Sequence, residues 1–360
     1  MQRVAMDLDA AIIQIAHQQP PEIAPFSYEK IVLEASWKWV HLLAVPFLIK
    51  TYFKLYFLIK RREIDVVLFS SMVTGSLAFL LKRHLRANRV RAAAIVHGQD
   101  VTKPVRLYQL LVPKVFGALD LVLPVSAATG EACVARGLPE SKLAVVHNGV
   151  KIDRFSPYQW PAGARMNHPF RASIPQDAFL LVSVGRQVKR KGFAWFIEHV
   201  MPQLPENVHY WLGGDGPERA SILEAIRSNH LEGRVKLLGR LGDSELTELY
   251  QSADLFIMPN IPVPGDMEGF GVVMLEAACN GLPTVAARLE GIREVITEGR
   301  NGYFVTSGEV SQYVSRISSL EANRVELSSL STSSAEHVSS TFGWASVARN
   351  YLSALSQIAP

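Results

Sequence analysis

The chain has 360 residues, 48% of them hydrophobic and 19% charged. That is enough apolar material for packed cores and enough length for one large or two ordinary domains. A net charge of +4 suits anionic partners but names none. The two cysteines, Cys133 and Cys279, share no metal or redox spacing. They exclude a disulfide framework and read as core thiols of a reducing compartment. No secretory signal is visible.

In chain order, Met1 to Leu8 reads as the interior of an amphipathic helix. The segment Trp37 to Arg62 is apolar and aromatic, but Pro46, Lys50 and Lys54 interrupt it too often for a membrane-spanning helix. Two readings stand for it. It is a crossover helix packed on a sheet, or it also lies on an anionic membrane, with Lys50, Lys54, Lys60, Arg61 and Arg62 beside Tyr52, Phe53, Tyr56 and Phe57. A buried strand follows at Ile64–Phe69, then a helix at Thr74–Arg86 and strands at Arg91–Val96 and Leu121–Ser126. A helix runs from there to about Arg136, and Leu143–Val146 leads into His147-Asn148-Gly149-Val150. His97 and His147 both stand at the carboxyl ends of strands, where open α/β sheets bind ligands. A lone histidine is most often a satisfied structural residue, and His147 is read as one.

The second half repeats the alternation. Strands are predicted at Phe179–Val184, Val208–Leu212, Val235–Leu238 and Leu255–Pro259, with helices between them, one from Phe193 to Met201 and one opened by Asp243-Ser244-Glu245. Strand and helix in turn argue for an α/β class with parallel sheets. After the first of these strands comes Gly185-Arg186-Gln187-Val188-Lys189-Arg190-Lys191-Gly192, a loop dense in cations. Arg186 and Lys191 bracket it; arginine forks onto phosphate oxygens and lysine acts as a point charge. After the last comes Asn260 to Met267, a long loop with an extra acid, and then Glu268-Gly269-Phe270-Gly271-Val272-Val273-Met274-Leu275-Glu276. A Gly-x-Gly turn feeding a helix presents bare N–H groups and a positive dipole end, which suits phosphate. The flanking carboxylates would repel phosphate, but they accept sugar hydroxyls well. The run is either a nucleotide-sugar site or a tight strand-to-helix connection with one solvated and one capping glutamate.

The ordered set of pieces resembles family 4 glycosyltransferases, of the GT-B architecture with two Rossmann-like domains facing each other across a cleft. The pieces are Gly185-Arg186 with Lys191-Gly192, Gly213-Gly214-Asp215-Gly216-Pro217, Val235 to Leu241, Ala253-Asp254-Leu255-Phe256, the two-glutamate run, and Gly281-Leu282-Pro283-Thr284-Val285. The resemblance implies an N-terminal acceptor domain over 1–155, a donor domain over 156–340, and a C-terminal helix over 341–360 crossing back to the first. Asp153 and Phe155 are placed as at the family's interdomain linker. It also implies transfer from a UDP- or GDP-sugar to a glycan or lipid-linked acceptor, with retention of configuration and without cofactor, metal or nucleic acid. The loop before Glu268 is similar to that of relatives that make mannosyl lipids. The location implied is cytoplasmic, at most peripheral on the inner face of a membrane.

On this resemblance His97 faces the donor sugar and Glu268 holds its hydroxyls near the reacting carbon. Arg186, Lys191 and the amides of Gly271 and Val272 hold the diphosphate, Gly269 and Phe270 belong to the same donor-binding turn, Glu276 takes the ribose hydroxyls, and Arg240 lies where the chain meets the nucleobase. Both carboxylates are expected to serve the ligand and not the fold. The family's first strand and Gly-Gly loop are not found ahead of the first helix; a late start, a fragment or a degenerate first domain is expected. Two alternatives stay open: a nucleotide-sugar epimerase of the same fold, and a non-catalytic binder of nucleotide sugars or partners.

Overall fold

The computed structural model describes residues 2–18, 23, 25–32, 40–152 and 168–359. The chain forms two compact units, Met1–Gly149 with Trp344–Pro360 and Val150–Gly343. The expected boundary at 155/156, with Asp153 and Phe155, lies outside the described residues.

Among the described residues the first unit holds three parallel strands, β1 (Val66–Phe69), β2 (Arg91–Val96) and β3 (Leu121–Pro124), hydrogen-bonded in the order β1-β2-β3. Ala92 to Val96 are buried, as a central strand covered on both faces requires. Leu143–Val146 does not make a full strand. It adds one bridge, Leu143 to Val122, and backbone hydrogen bonds from Ala144 to Val122 and from Val146 to Pro124. Helix Met72–Ala87 starts on a reciprocal cap in which Thr74 N donates to Ser71 Oγ and Ser71 N to Thr74 Oγ1. Helix Gln2–Gln18 buries Leu8, Ala11, Ile12 and Ile15, a stripe at helical spacing, and packs with the last helix, Trp344–Ser356. Tyr351 of that last helix donates to the Val146 carbonyl.

Helix Val40–Arg61 settles how the Trp37 to Arg62 segment divides. Leu55 and Ile59 are buried in the unit's core, with Tyr52 and Tyr56 packed against them. Val45, Ile49, Phe53 and Phe57 recur every fourth residue on another face, each more than half exposed. Lys54 is not a free cation: its ammonium pairs with Glu29 at 2.5 Å. Among the described residues no helix is long and apolar enough to cross a membrane.

Among the described residues the second unit holds six parallel strands: β4 (Phe179–Val184), β5 (Val208–Gly213), β6 (Val235–Gly239), β7 (Leu255–Met258), β8 (Thr284–Ala287) and β9 (Gly302–Val305). Their order is β6-β5-β4-β7-β8-β9. The chain therefore winds outward one way from β4 and then the other way from β7. Where such a sheet reverses, the loops after the two central strands part and leave a crevice at their carboxyl ends. Beneath the sheet's opposite edge, Asp254 accepts from Arg171 at 2.9 Å, Arg324 at 3.1 Å and the Leu180 amide at 2.7 Å. This satisfies a buried charge that would otherwise cost several kcal/mol. Both cysteines are buried in apolar surroundings, which push their thiols up to about 12.

Candidate functional site

The loops after β4 and β7 meet at this reversal. Gly192 (φ 66°) lets the β4 loop run directly over the carbonyl of Pro259, where an added Cβ would collide, and Ile261 N donates to Arg190 O at 3.0 Å. These contacts bring the cationic loop onto the acidic run. Lys191 Nζ lies 2.6 Å from Glu268 Oε2, with both residues buried. Arg190 Nη1 stands 3.7 Å from the same oxygen, and its Nε is 3.2 Å from Asp266 Oδ1. Asn260 Nδ2 donates to Glu268 Oε2 at 3.3 Å. Burial alone pushes the Glu268 carboxyl up. The Lys191 and Arg190 charges and the bonds from Lys191 and Asn260 together outweigh it and hold it below the ordinary glutamate value. Burial draws the Lys191 ammonium down, with Glu268 opposing.

The expectation that Glu268 serves only a ligand therefore changes. Removing it strands a buried ammonium, so the residue carries part of the fold as well.

Beyond Glu268 the chain turns through Gly271, in the left-handed region at φ 82°, and enters helix Val272–Cys279. The left-handed φ at Gly271 is what calls for glycine there; an added Cβ would meet only the mobile tips of the Met274 and Met258 side chains. The ring of Phe270 is buried and stacks edge-on against Phe342. That leaves its backbone, with Gly269, Gly271 and Val272, as the polar part of the turn. Glu276 is buried one turn and more into the helix, where Tyr250 donates to its Oε2 at 3.3 Å.

Arg186 opens the β4 loop and is exposed, which leaves its guanidinium clear of the Lys191–Glu268 pair. Arg240 follows β6, is also exposed, and stands 4.0 Å from Asp215. His97 belongs to the first unit. It directly follows β2, and its amide donates to Asp100 Oδ2 at 3.3 Å. Burial lowers the imidazole to about 4, so it is neutral near pH 7. Burial also raises Asp100 to about 6.

Two parts of the site were not singled out from sequence. Arg190 was one cation among several in its loop. Glu290 follows β8 and accepts from the Glu268 amide at 2.5 Å, while holding φ 46°, a left-handed conformation that is costly for a residue with a Cβ. Gly291 beside it donates to Glu268 O, with its Cα pressed onto the Gly269 carbonyl. The signal for Glu290 was its position at a strand's carboxyl end, the same rule that found the β4 and β7 loops.

Two Rossmann-like α/β units, one with a basic loop and an acidic helix-entry turn at its switch point, define a protein of the GT-B class. The family described as Glycosyltransferase Family 4 matches residues 9–154, and Glycosyl transferases group 1 matches residues 178–323. The chain belongs to these glycosyltransferases. It is similar to the amylovoran biosynthesis glycosyltransferase AmsK of Erwinia amylovora, 29% identical over 250 residues, covering 68% of this chain and 58% of that protein. The chain thus spans less than two thirds of that relative's length. Among solved structures it is similar in fold to Anabaena Alr3699/HepE in complex with UDP-glucose (TM-score 0.68, 22% identity, 88% of this chain and 84% of that one). It is also similar to sucrose-phosphate synthase from Thermosynechococcus elongatus (TM-score 0.70, 18% identity, 93% and 82%).

Proposed function

We propose that this chain is a retaining glycosyltransferase that moves a sugar from a nucleotide diphosphate sugar to a glycan or lipid-linked acceptor. The observation that carries the reading is the buried Lys191–Glu268 pair at the β4/β7 switch point, set beside the Gly271 entry to helix Val272–Cys279. Lysine has three N–H donors, and Glu268 engages one of them, so the same ammonium serves a phosphate oxygen as well. Arg186, Lys191 and the amides of Gly271 and Val272 neutralise the diphosphate as the sugar–oxygen bond breaks. This is catalysis by donors fixed in advance where charge develops. Glu268 takes sugar hydroxyls and Glu276 the ribose hydroxyls. Attack from the face the phosphate leaves, with a phosphate oxygen taking the acceptor's proton, preserves the anomeric configuration.

A UDP-sugar is the favoured donor, because the similar HepE structure holds UDP-glucose. A glycan acceptor is favoured because AmsK is named as a glycosyltransferase of amylovoran biosynthesis. The exposed stripe Val45, Ile49, Phe53 and Phe57, with Lys50 beside it, favours a peripheral place on an anionic membrane. The test is thermal melting of the full chain against UDP- and GDP-sugars. A donor at a hundred times its Kd stabilises by about 2.7 kcal/mol, and product NMR then reads the anomer. A chain whose melting no nucleotide sugar shifts would overturn the reading.

A further inference from the structure

The first unit contains a second basic site, at the opposite end of its sheet from His97. Arg91 begins β2 and Asp120 directly precedes β3, so the N-terminal edge of the strands floors a cavity of about 530 Å³. Ligand pockets in proteins span roughly 300–1,000 Å³. Lys82, Arg86, Arg89, Arg91 and Lys142 line it, against one carboxylate, Asp120. Asp120 is fully engaged: Oδ1 takes Arg91 at 3.1 Å and Oδ2 takes the Ala92 amide at 2.9 Å. Lys142 Nζ donates to the Leu119 carbonyl at 2.6 Å, which spends one of its three donors. Among the described residues, Lys82, Arg86 and Arg89 have no carboxylate within ion-pair distance.

A plainer account is that these cations offset helix dipoles. Helix Met72–Ala87 and helix Arg106–Phe116 both end here, and the Lys82 ammonium lies over Gly117, the cap of the second. Each helix end is equivalent to about −0.5 charge. With Arg91 matched by Asp120, two helix ends offset about one of the four remaining cations, and about three positive charges are left facing one cavity. Arg89 follows the helix end in the left-handed region at φ 59°, a place usually taken by glycine. Arg62 and His230 do the same at other helix ends, so that conformation alone identifies nothing. The charge surplus in a concave, ligand-sized space does.

We infer that this cavity binds a phosphate ester of high charge, separately from the sugar-nucleotide site. Arginine forks match phosphate oxygens, and a surplus of about three charges matches a terminal phosphate or diphosphate better than a single carboxylate. The phosphate comes either from a free phosphorylated molecule or from a phospholipid headgroup.

The probe is inorganic pyrophosphate, titrated calorimetrically into the full chain at low salt. With the sugar-nucleotide site saturated by UDP, the expected result is pyrophosphate binding that falls at least tenfold in Lys82→Ala/Arg86→Ala and several-fold in Arg89→Gly. Arg89→Gly guards against misfolding as an explanation, because it relieves the left-handed strain and should melt no lower than the parent. In a second arm, vesicles of phosphatidylcholine with and without phosphatidic acid are sedimented with the same proteins. Loss of phosphatidic acid binding in the cavity variants assigns a headgroup. Loss confined to pyrophosphate assigns a free ligand. Cavity variants that keep parental behaviour in both arms, or pyrophosphate heat that saturation with UDP abolishes, would overturn the inference.

Discussion

Replacing Lys191 with methionine keeps most of the side chain's volume and removes its charge. Glu268 is then left buried with its nearest partner gone. Breaking a buried pair from one side costs about 3–5 kcal/mol, because the remaining charge is desolvated without compensation. Here Arg190, 3.7 Å away, and Asn260, at 3.3 Å, still face the carboxylate, so the lower end, about 3 kcal/mol, applies. At about 2–4 °C per kcal/mol for a unit of this size, the second unit should melt roughly 6–12 °C lower. The double variant Lys191→Met/Glu268→Leu removes both charges and should recover most of that loss, as apolar replacements of whole buried pairs do. It should not recover affinity for UDP. Calorimetric melts of the parent, both single variants and the double variant complete the cycle, with UDP titrations alongside. A single variant melting within about 2 °C of the parent would refute the reasoning, since it would mean the pair is not desolvated. A double variant that binds UDP like the parent would separate the pair from the donor.

Arg186→Ala is expected to weaken UDP about tenfold or more with unchanged melting, because the side chain is exposed and a charge-assisted contact is worth roughly 1.5–3 kcal/mol; equal UDP affinity in calorimetry counts against its role. Acid should act on the His97 site through opposed terms. Burial holds the folded imidazole at about 4, so stability is lost as pH falls from about 6.5 to 4, whereas Asp100, raised by burial to about 6, is protonated first in the folded state and gains stability from about 6 to 3.8. His97→Asn removes the first term, so relative to its parent the variant should gain stability on acidification over that window, and parallel pH profiles of the two would contradict the assignment. Phe53→Ser/Phe57→Ser and Lys50→Glu should each reduce sedimentation with anionic vesicles, with salt weakening the parent's binding, because each cation near the surface contributes about 1 kcal/mol; a parent that never sediments leaves the helix as scaffold.

Most of the fold was legible because its strands are short apolar runs bounded by glycine, proline or charge. β2 and β4 fall on the residues their sequences mark, Arg91–Val96 and Phe179–Val184. Leu143–Val146 has the same composition but meets β3 only through the bridge at Leu143 and two amide bonds, from Ala144 and Val146. The site's two sides were legible as a basic loop and an acidic run; that they neutralise each other was not. Only the sheet order, which sets β4 beside β7, puts Lys191 against Glu268, and sequence spacing carries no record of it. Lys54 was misread for the same reason, since its partner Glu29 is distant along the chain. Phe53 and Tyr56 look alike in sequence, yet one is exposed and the other packs on the core, a difference fixed by which face of the helix meets helix Met72–Ala87.

The two glutamates of the run, so similar in sequence, are held by different physics, and this difference bears on how the site works. Glu276 accepts a hydrogen bond from a neutral donor, Tyr250, at 3.3 Å. Glu268 is fixed by cations, at 2.6 and 3.7 Å, and by its own amide's bond to Glu290. A diphosphate arriving beside Lys191 competes with Glu268 for the same ammonium, and any of that charge it draws off leaves the carboxylate a stronger acceptor for hydroxyl groups. On the proposed reading, binding the phosphate end of the donor therefore readies the carboxylate for the sugar end. Glu268→Gln tests this coupling, because it keeps the shape and the hydrogen-bond acceptor but removes the charge that competes for Lys191. UDP alone should then bind as well as or better than to the parent, while the preference for UDP-sugar over UDP should shrink. If both ligands weaken by the same factor, the two ends of the donor are held independently and the coupling does not exist.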